Sequence, residues 1–365
     1  MSEEQVIKEL DLKEKRRKIK LANAKFIKTY KLEDDKTVKL GFMDEDTGIG
    51  NLEVLKTGVI PFDIVAGGIY KGTINVVYGP KDSGKSTLVR DAMATICKDN
   101  IIGAYMNQEK TMDVNYWKDG DVSPENIVVA QWKTCEQGLD YANSCVDGTC
   151  PVDLLAIDTV QALSSDAELT DKKGDVKSVT SNNIALLPRT YSQFLREYTS
   201  LSSGLLTLLL VSQVRTQGIG TNYTFDGMSG GNAIKHYNIL TVRIEAAGQS
   251  NWPDAAKEGS KLPPNSFAVR FTVDKIKAMG RYKKTSIMGY FYRGKFDKKF
   301  NTIYIGKDIG VHDGKEFSYP NPEKPEENLT LKYRGINEMF NKIPDEAVTY
   351  MESILESTYL KNINL

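Results

Sequence analysis

The chain is 365 residues long, 40% hydrophobic and 26% charged, with 48 basic and 48 acidic side chains and therefore no formal net charge. That composition excludes a disordered or fibrous protein, and it excludes attachment to nucleic acid or membrane through global charge, so any surface for a polyanion must be local. The four cysteines (Cys97, Cys135, Cys145, Cys150) form no C-x-x-C pair and lie far from His236 and His312, so they read as thiols of a reducing compartment, not as zinc ligands.

Residues 1–31 are lysine-rich, with apolar residues at helical intervals (Val6, Ile7, Leu10, then Ile19, Leu21, Phe26, Ile27), and predict a peripheral helix. A short strand, TVKLGF at 37–42, and a linker, MDEDTGIGN at 43–51, follow. From residue 52 strands and helices alternate: strands at 74–78, 101–107, 127–131, 153–157, 205–212, 239–245, 267–274 and 286–292, helices at 86–97, 112–118, 136–147 and 182–200. Short, continuously apolar strands spaced by helices predict an α/β fold with a mostly parallel sheet buried on both faces. The closer spacing of the last strands predicts an antiparallel extension. A Pro/Glu-rich spacer at 320–327 leads to a helical tail carrying Ile336, Met339, Phe340, Met351, Ile354 and Leu355. The chain thus divides into an N-terminal helix and strand (1–45), a core (46–300) and a small α-rich C-terminal region (301–365). Residues 1–20 are charged throughout, and the longest apolar run, LLTLLLV at 205–211, is far short of the ~20 residues of a bilayer span. The expectation is a cytoplasmic protein with no membrane partner.

The stretch YGPKDSGKST at 78–87 spells G-x-x-x-x-G-K-[ST] between an apolar strand and a helix. Gly79, Pro80, Lys81, Asp82, Ser83, Gly84, Lys85, Ser86 and Thr87 would then cradle a nucleotide's phosphates on backbone N–H groups and a helix N-terminus. Lys85 can reach the β- and γ-phosphates, and the Ser86 hydroxyl can ligate Mg²⁺. Asp158 closes the apolar run PVDLLAID, where a carboxylate can hold Mg²⁺ through water or simply cap a helix. Glu109 ends IIGAYMNQE and can orient and deprotonate an attacking water. Asp113 and Tyr116 can offer a hydrogen bond and a stacking face to an adenine ring. Gln213 closes LLTLLLVSQ, where it could sense a γ-phosphate. Long polar segments leave the same sheet edge at about 164–180 and 214–231, and loops of that length are generally functional or disordered.

From about Glu53 to Lys299 the chain resembles the RecA family of DNA recombinases, its phage-encoded members included. The resemblance rests on LKTGVIPFDIVAGGIYKGTINVVYGPKDSGKSTL, on NQEKTMDVNYW, and on SQVR followed by GGNAIKHY, in order and with similar gaps. It implies a RecA-like P-loop NTPase core, with residues 1–45 docking on the next subunit. Glu109 would be the catalytic glutamate, Asp113 and Tyr116 the adenine contacts and Gln213 the ATP sensor. It also implies two DNA-binding loops, with Lys172, Lys173 and Lys177 in the first and Arg215, Asn222, Tyr223, Gly230, Gly231 and Asn232 in or beside the second. Arg189 and Arg196 match arginines that contact the DNA backbone. Lys275 and Lys277, two apart on a predicted strand, match a pair that reaches ATP on the neighbouring subunit; a solvated strand face is the plain alternative. The first loop departs from the bacterial pattern in being lysine-bearing, and residues after 300 match only faintly.

The activity implied is an ATP- and Mg²⁺-dependent recombinase. It would form a helical filament on single-stranded DNA, pair it with homologous double-stranded DNA and exchange strands, with DNA-stimulated hydrolysis of ATP to ADP and phosphate. Single-strand-binding and loader proteins would be its partners, in a bacterial cytoplasm or that of a phage's host. Two other readings stand beside it at this point: a ring-forming helicase-type motor, for which Arg281 could serve as an arginine finger, and a regulatory ATP-binding mediator. Glu109 and Gln213 count against the mediator.

Overall fold

The computed structural model describes residues 3–35, 40–42, 44, 52–162, 164–169, 186–201, 206–217, 225–229, 231–247, 266–277 and 285–363. The expected strand at 37–42 and the loop at 164–180 therefore lie largely outside the described residues.

The chain opens with the long helix α1 (Glu3–Tyr30), then β1 (Val54–Leu55), α2 (Ile60–Ala66), β2 (Ile69–Tyr70) and β3 (Ile74–Gly79). Helix α3 (Lys85–Ile96), β4 (Gly103–Asn107), α4 (Val114–Lys118), β5 (Ile127–Ala130), α5 (Cys135–Val146) and β6 (Leu154–Asp158) follow. Next come α6 (Asp166–Leu169), α7 (Leu186–Leu201), β7 (Thr207–Gln217), β8 (Phe225–Met228), α8 (Asn232–Tyr237), β9 (Leu240–Ala246), β10 (Ser266–Ile276) and β11 (Thr285–Tyr292). The C-terminal region adds α9 (Lys298–Asp308), a hairpin of β12 (Glu316–Pro320) and β13 (Asn328–Lys332), then α10 (Ile336–Lys342) and α11 (Asp345–Ile363).

Among the described residues, one sheet of nine strands organises the molecule, in the order β11-β10-β9-β3-β7-β6-β4-β5, with β8 paired to β7. The strands from β9 to β5 run parallel, whereas β10 and β11 extend the sheet antiparallel. The fold is thus α/β around a mostly parallel sheet, with the predicted antiparallel extension. Its central strands β3, β4, β6 and β7 are largely apolar on both faces because both are covered. Val77, Tyr105, Leu154, Ala156, Leu209 and Val211 point into one core, with α2, α3, α9 and α11. Their neighbours Val76, Ala104, Met106, Leu155, Ile157, Leu208 and Leu210 point into a second core, with α5 and α7. The period-2 alternation assigns each residue to its layer.

The C-terminal helices share the first of these cores through Phe300, Ile303, Met351 and Leu355, and the position after residue 300 lies inside α9. Asp297 caps this helix by accepting the Phe300 N–H at 2.7 Å. Strand ends differ from expectation at several positions, and two of the differences bear on the site. β4 stops at Asn107, leaving Glu109 in the turn beyond it. β7 runs past Gln213 to Gln217, because Val214–Gln217 pairs with Phe225–Met228 of β8.

Candidate functional site

In a parallel sheet, ligands are held outside the carboxyl ends of the strands. Four adjacent strands, β3, β7, β6 and β4, bring their ends to one level. Gly79 lies opposite Gln213, and Asp158 opposite both Val211 and Asn107. The cleft there measures about 410 Å³ and is lined by the loop of residues 81–87 with Glu109, Tyr116, Asp158, Thr159 and Gln213.

The loop owes its shape to two glycines. A Cβ on Gly79 would lie 1.9 Å from the Ile244 carbonyl oxygen of β9, so only glycine lets β3 end there. Gly84 has φ of 87°, the left-handed turn that launches α3 with its first N–H groups facing the cleft. The Lys85 ammonium folds back onto the loop, donating to the Pro80 carbonyl and, at 3.4 Å, to Ser83 Oγ. Burial pushes its pKa down, against the pull of Asp158, Glu109 and Asp82. Those hydrogen bonds are the kind a phosphate can replace.

Asp158 is almost fully buried, and burial pushes its carboxyl up, opposed by the Ser86 and Tyr105 hydroxyls. Tyr105 donates to Oδ2 at 2.9 Å, while Oδ1 is buried with no hydrogen-bond partner of ordinary geometry among the described residues. An orphaned carboxylate oxygen beside the Ser86 hydroxyl is a hard-oxygen donor set, and it fits Mg²⁺. No cluster of three or more His, Cys, Asp or Glu residues able to hold a metal occurs among the described residues, so a cation here would complete its shell with water and phosphate oxygens.

Glu109 accepts two hydrogen bonds on Oε1, from Gln213 Nε2 at 2.9 Å and from Thr159 Oγ1 at 3.2 Å. From Gln213 a chain of bonds leads away from the cleft. Its backbone N–H donates to Gln161 Oε1 at 3.3 Å, and Gln161 donates to Ser212 Oγ at 2.7 Å. Ser212 in turn donates to the Ser229 carbonyl at 2.9 Å, just past β8. The cleft is therefore wired to the β7–β8 hairpin, whose strands Val214–Gln217 and Phe225–Met228 occupy both ends of the segment 214–231 expected to be a loop.

On the opposite wall the Tyr116 hydroxyl lies 2.5 Å from Thr87 Oγ1. Burial pushes that phenol up. Asp113 sits away from the cleft lining, exposed, where it caps α4 by accepting the Asn115 N–H at 2.8 Å. Lys275 and Lys277 are also elsewhere. Lys275 donates to the Lys235 carbonyl and, at 2.6 Å, to Asn238 Oδ1, and Lys277 donates to the His236 carbonyl at 2.7 Å. Both ammonium groups thus gather at the C-terminal end of α8, where carbonyls concentrate partial negative charge. Lys277 lies one residue beyond β10, and a register shift between Val273 and Lys275 precedes the pair.

Arg189 and Arg196 are exposed on α7, two turns apart, opposite the buried Tyr191, Phe194, Leu195 and Tyr198. Arg215 is in β7 opposite Gly227. Gly231 and Asn232 open α8. Lys172, Lys173, Lys177, Asn222, Tyr223, Gly230 and Arg281 lie outside the described residues.

Sequence reasoning missed Thr159, Gln161, the Gly294 turn and Arg90. Arg90 left a signal, because an Arg–Asp pair falls inside the apolar run Leu88–Val89 and Ala92–Met93–Ala94 of the helix. Thr159 and Gln161 left none, being ordinary polar residues after a strand.

A family model described as the RecA N-terminal domain matches residues 19–291. The chain is 27% identical over 316 residues to Protein RecA of Cutibacterium acnes, covering 83% of this chain and 86% of that one. It is 28% identical to Protein RecA of Helicobacter pylori (strain HPAG1), over 86% of this chain and 92% of the other. Protein RecA of Leptospira meyeri is 31% identical over 76% of this chain and 73% of its own.

Proposed function

The chain belongs to the RecA family, and on that premise we propose how its geometry serves an ATP-dependent DNA recombinase. It is a nucleotide-binding, DNA-binding recombination and repair enzyme of a filament-forming family. The finer steps are our reading.

ATP would bind with its phosphates on the N–H groups of residues 81–87, its triphosphate drawing Lys85 off the Pro80 carbonyl. Ser86 and Asp158 would hold Mg²⁺, which would supply charge neutralisation for the bound phosphates. Glu109 would accept the proton of the attacking water, aligned by the donors Thr159 and Gln213 on one of its oxygens, which leave the other free to act. A γ-phosphate competes with Glu109 for the Gln213 amide. Gln213 would then pull on the Gln161–Ser212–Ser229 chain and set the β7–β8 hairpin for DNA, an order–disorder type of switch. Lys275 and Lys277 would act on ATP across a subunit interface, and Arg189, Arg196 and the loop cations on DNA phosphates. Single-stranded and homologous double-stranded DNA would be the substrates, single-strand-binding and loader proteins the partners, and the cytoplasm the setting. No described helix is long and apolar enough to cross a membrane.

The observation that carries this reading is the Gln213–Glu109 hydrogen bond, which joins the water-activating carboxylate to the hairpin. Electron microscopy with single-stranded DNA and a slowly hydrolysed ATP analogue tests it. Open helical filaments are expected; closed rings, or no assembly, would contradict it.

A further inference from the structure

Arg90 is 1% exposed and heads the largest fully buried side chains. It lies on α3, just inside the helix that the phosphate loop launches. A guanidinium in such a place is costly unless its N–H groups find acceptors, and an aliphatic side chain would fill the same volume with less penalty. The fold has nevertheless supplied the acceptors. Nε donates to Asp91 Oδ1 at 2.8 Å and Nη2 to the same oxygen at 2.5 Å. Nη1 donates to the Tyr116 carbonyl at 3.1 Å and Nη2 to the Gly294 carbonyl at 3.2 Å. Its Cζ stands 4.1 Å from the centroid of the Tyr116 ring. Asp91 also accepts the Phe296 N–H at 2.9 Å, so the pair is tied to the β11–α9 turn from both ends. The approach is close enough that a Cβ on Gly120 would lie 2.5 Å from Arg90 Nε.

Every segment this cation touches contributes to one wall of the cleft. Thr87, Tyr116 and Gly294 all line it, and the Tyr116 hydroxyl bridges the other two, at 2.5 Å from Thr87 Oγ1 and 3.4 Å from the Gly294 oxygen. The hydroxyl bonds hold the tip of this tyrosine, on a helix of only five residues, and Arg90 meets the face of its ring. A guanidinium plane against one ring face fixes it while leaving the opposite face for a second planar partner.

We propose that Arg90, oriented by Asp91, is a positioning residue for the nucleotide base: it backs the Tyr116 ring and clamps the Gly294 turn, so that the base meets a rigid wall. The proposal rests on the reading of the cleft as a nucleotide site. It separates two halves of that site, since the Arg90 side chain bonds Asp91, the Tyr116 carbonyl and the Gly294 carbonyl and none of the residues 79–87.

The test compares two probes, ADP and inorganic tripolyphosphate, each with Mg²⁺, in the full chain by titration calorimetry. Arg90→Met should weaken ADP about tenfold and leave tripolyphosphate within about twofold of wild type. Arg90→Lys keeps the charge but loses the planar fork, and should recover little of the lost affinity. Tyr116→Ala should weaken ADP on its own, and adding Arg90→Met to it should cost nothing more. Arg90→Met/Asp91→Asn removes both buried charges and gives the same answer should the lone Asp91 prevent folding, which a melting curve reports. Unchanged ADP affinity in the Arg90 variants, equal losses for both probes, or additivity with Tyr116→Ala would each overturn the proposal. ADP binding that ignores Tyr116→Ala would instead overturn the reading of the wall beneath it.

Discussion

Lys85 and the Lys275/Lys277 pair are cations of the same chemistry held in opposite ways. Lys85 sits inside the cleft under the pull of three carboxylates, Asp158, Glu109 and Asp82, so the cleft carries its own counter-charges. Lys275 and Lys277 rest on carbonyls and an amide at the end of α8, and Lys275 is pushed down to about 8 by burial and by Lys277 beside it. Among the described residues, dipoles hold these ammonium groups and no ion pair neutralises them. The contrast teaches, on our reading, a division of labour: one cleft binds and activates, while the lysine pair, with no ion pair among the described residues, carries its charge away from that cleft. On our reading that charge serves the neighbouring subunit's ATP.

The largest effect should come from the activating half. Glu109→Gln should lower ATP turnover by about 10²- to 10⁴-fold while leaving ATP affinity within a few fold, because on our reading the residue acts on water and not on ATP. Steady-state hydrolysis and equilibrium binding together check it, and near wild-type turnover would remove Glu109 from its role. Lys85→Ala breaks the binding half, and ATP affinity should drop by about 100-fold, as expected for truncating a buried charge–phosphate contact. A variant that binds normally but does not turn over would make the two halves of the comparison indistinguishable.

These assignments show what the sequence could and could not convey. The parallel strands were legible because burial on both faces requires unbroken apolar runs such as LLAI and LLLV. The phosphate loop was legible because its glycines answer to geometry that no other residue meets. The extension of β7 was not, since VRTQ is polar and its partner FDGM is short and outside the central path of the sheet. Helix α9 was overlooked although Phe300, Ile303 and Tyr304 keep a helical spacing behind the Asp297 cap. Asp113 illustrates a different limit: a cap and a ligand contact ask for the same carboxylate, and the described structure shows the cap.

Smaller effects sharpen the comparison on the DNA side. Arg196 is exposed on α7, so Arg196→Ala should reduce the salt dependence of DNA affinity by about one unit of log–log slope, equally on unrelated sequences. A loss confined to one sequence would mean that it reads bases.

The smallest effect concerns pH. The folded chain holds the Lys275 proton less tightly than the unfolded one, with a pKa lowered from 10.5 to about 8. Its contribution to stability is therefore unfavourable below pH 8 and fades as pH rises from 8 towards 10.5. Melting temperatures of the isolated chain should rise over that window relative to Lys275→Met, and parallel curves would show that the ammonium is not strained by its site.

The central claim is that the lysine pair completes a site on the next subunit. Lys275→Ala/Lys277→Ala protein should bind ATP as wild type does when unassembled, yet lose DNA-stimulated hydrolysis. Mixed one to one with Glu109→Gln protein on single-stranded DNA, it should regain activity, because wild-type lysines from one partner then face an intact Glu109 in the other at about a quarter of the interfaces. A mixture that forms shared filaments and remains as inactive as its components would contradict the claim.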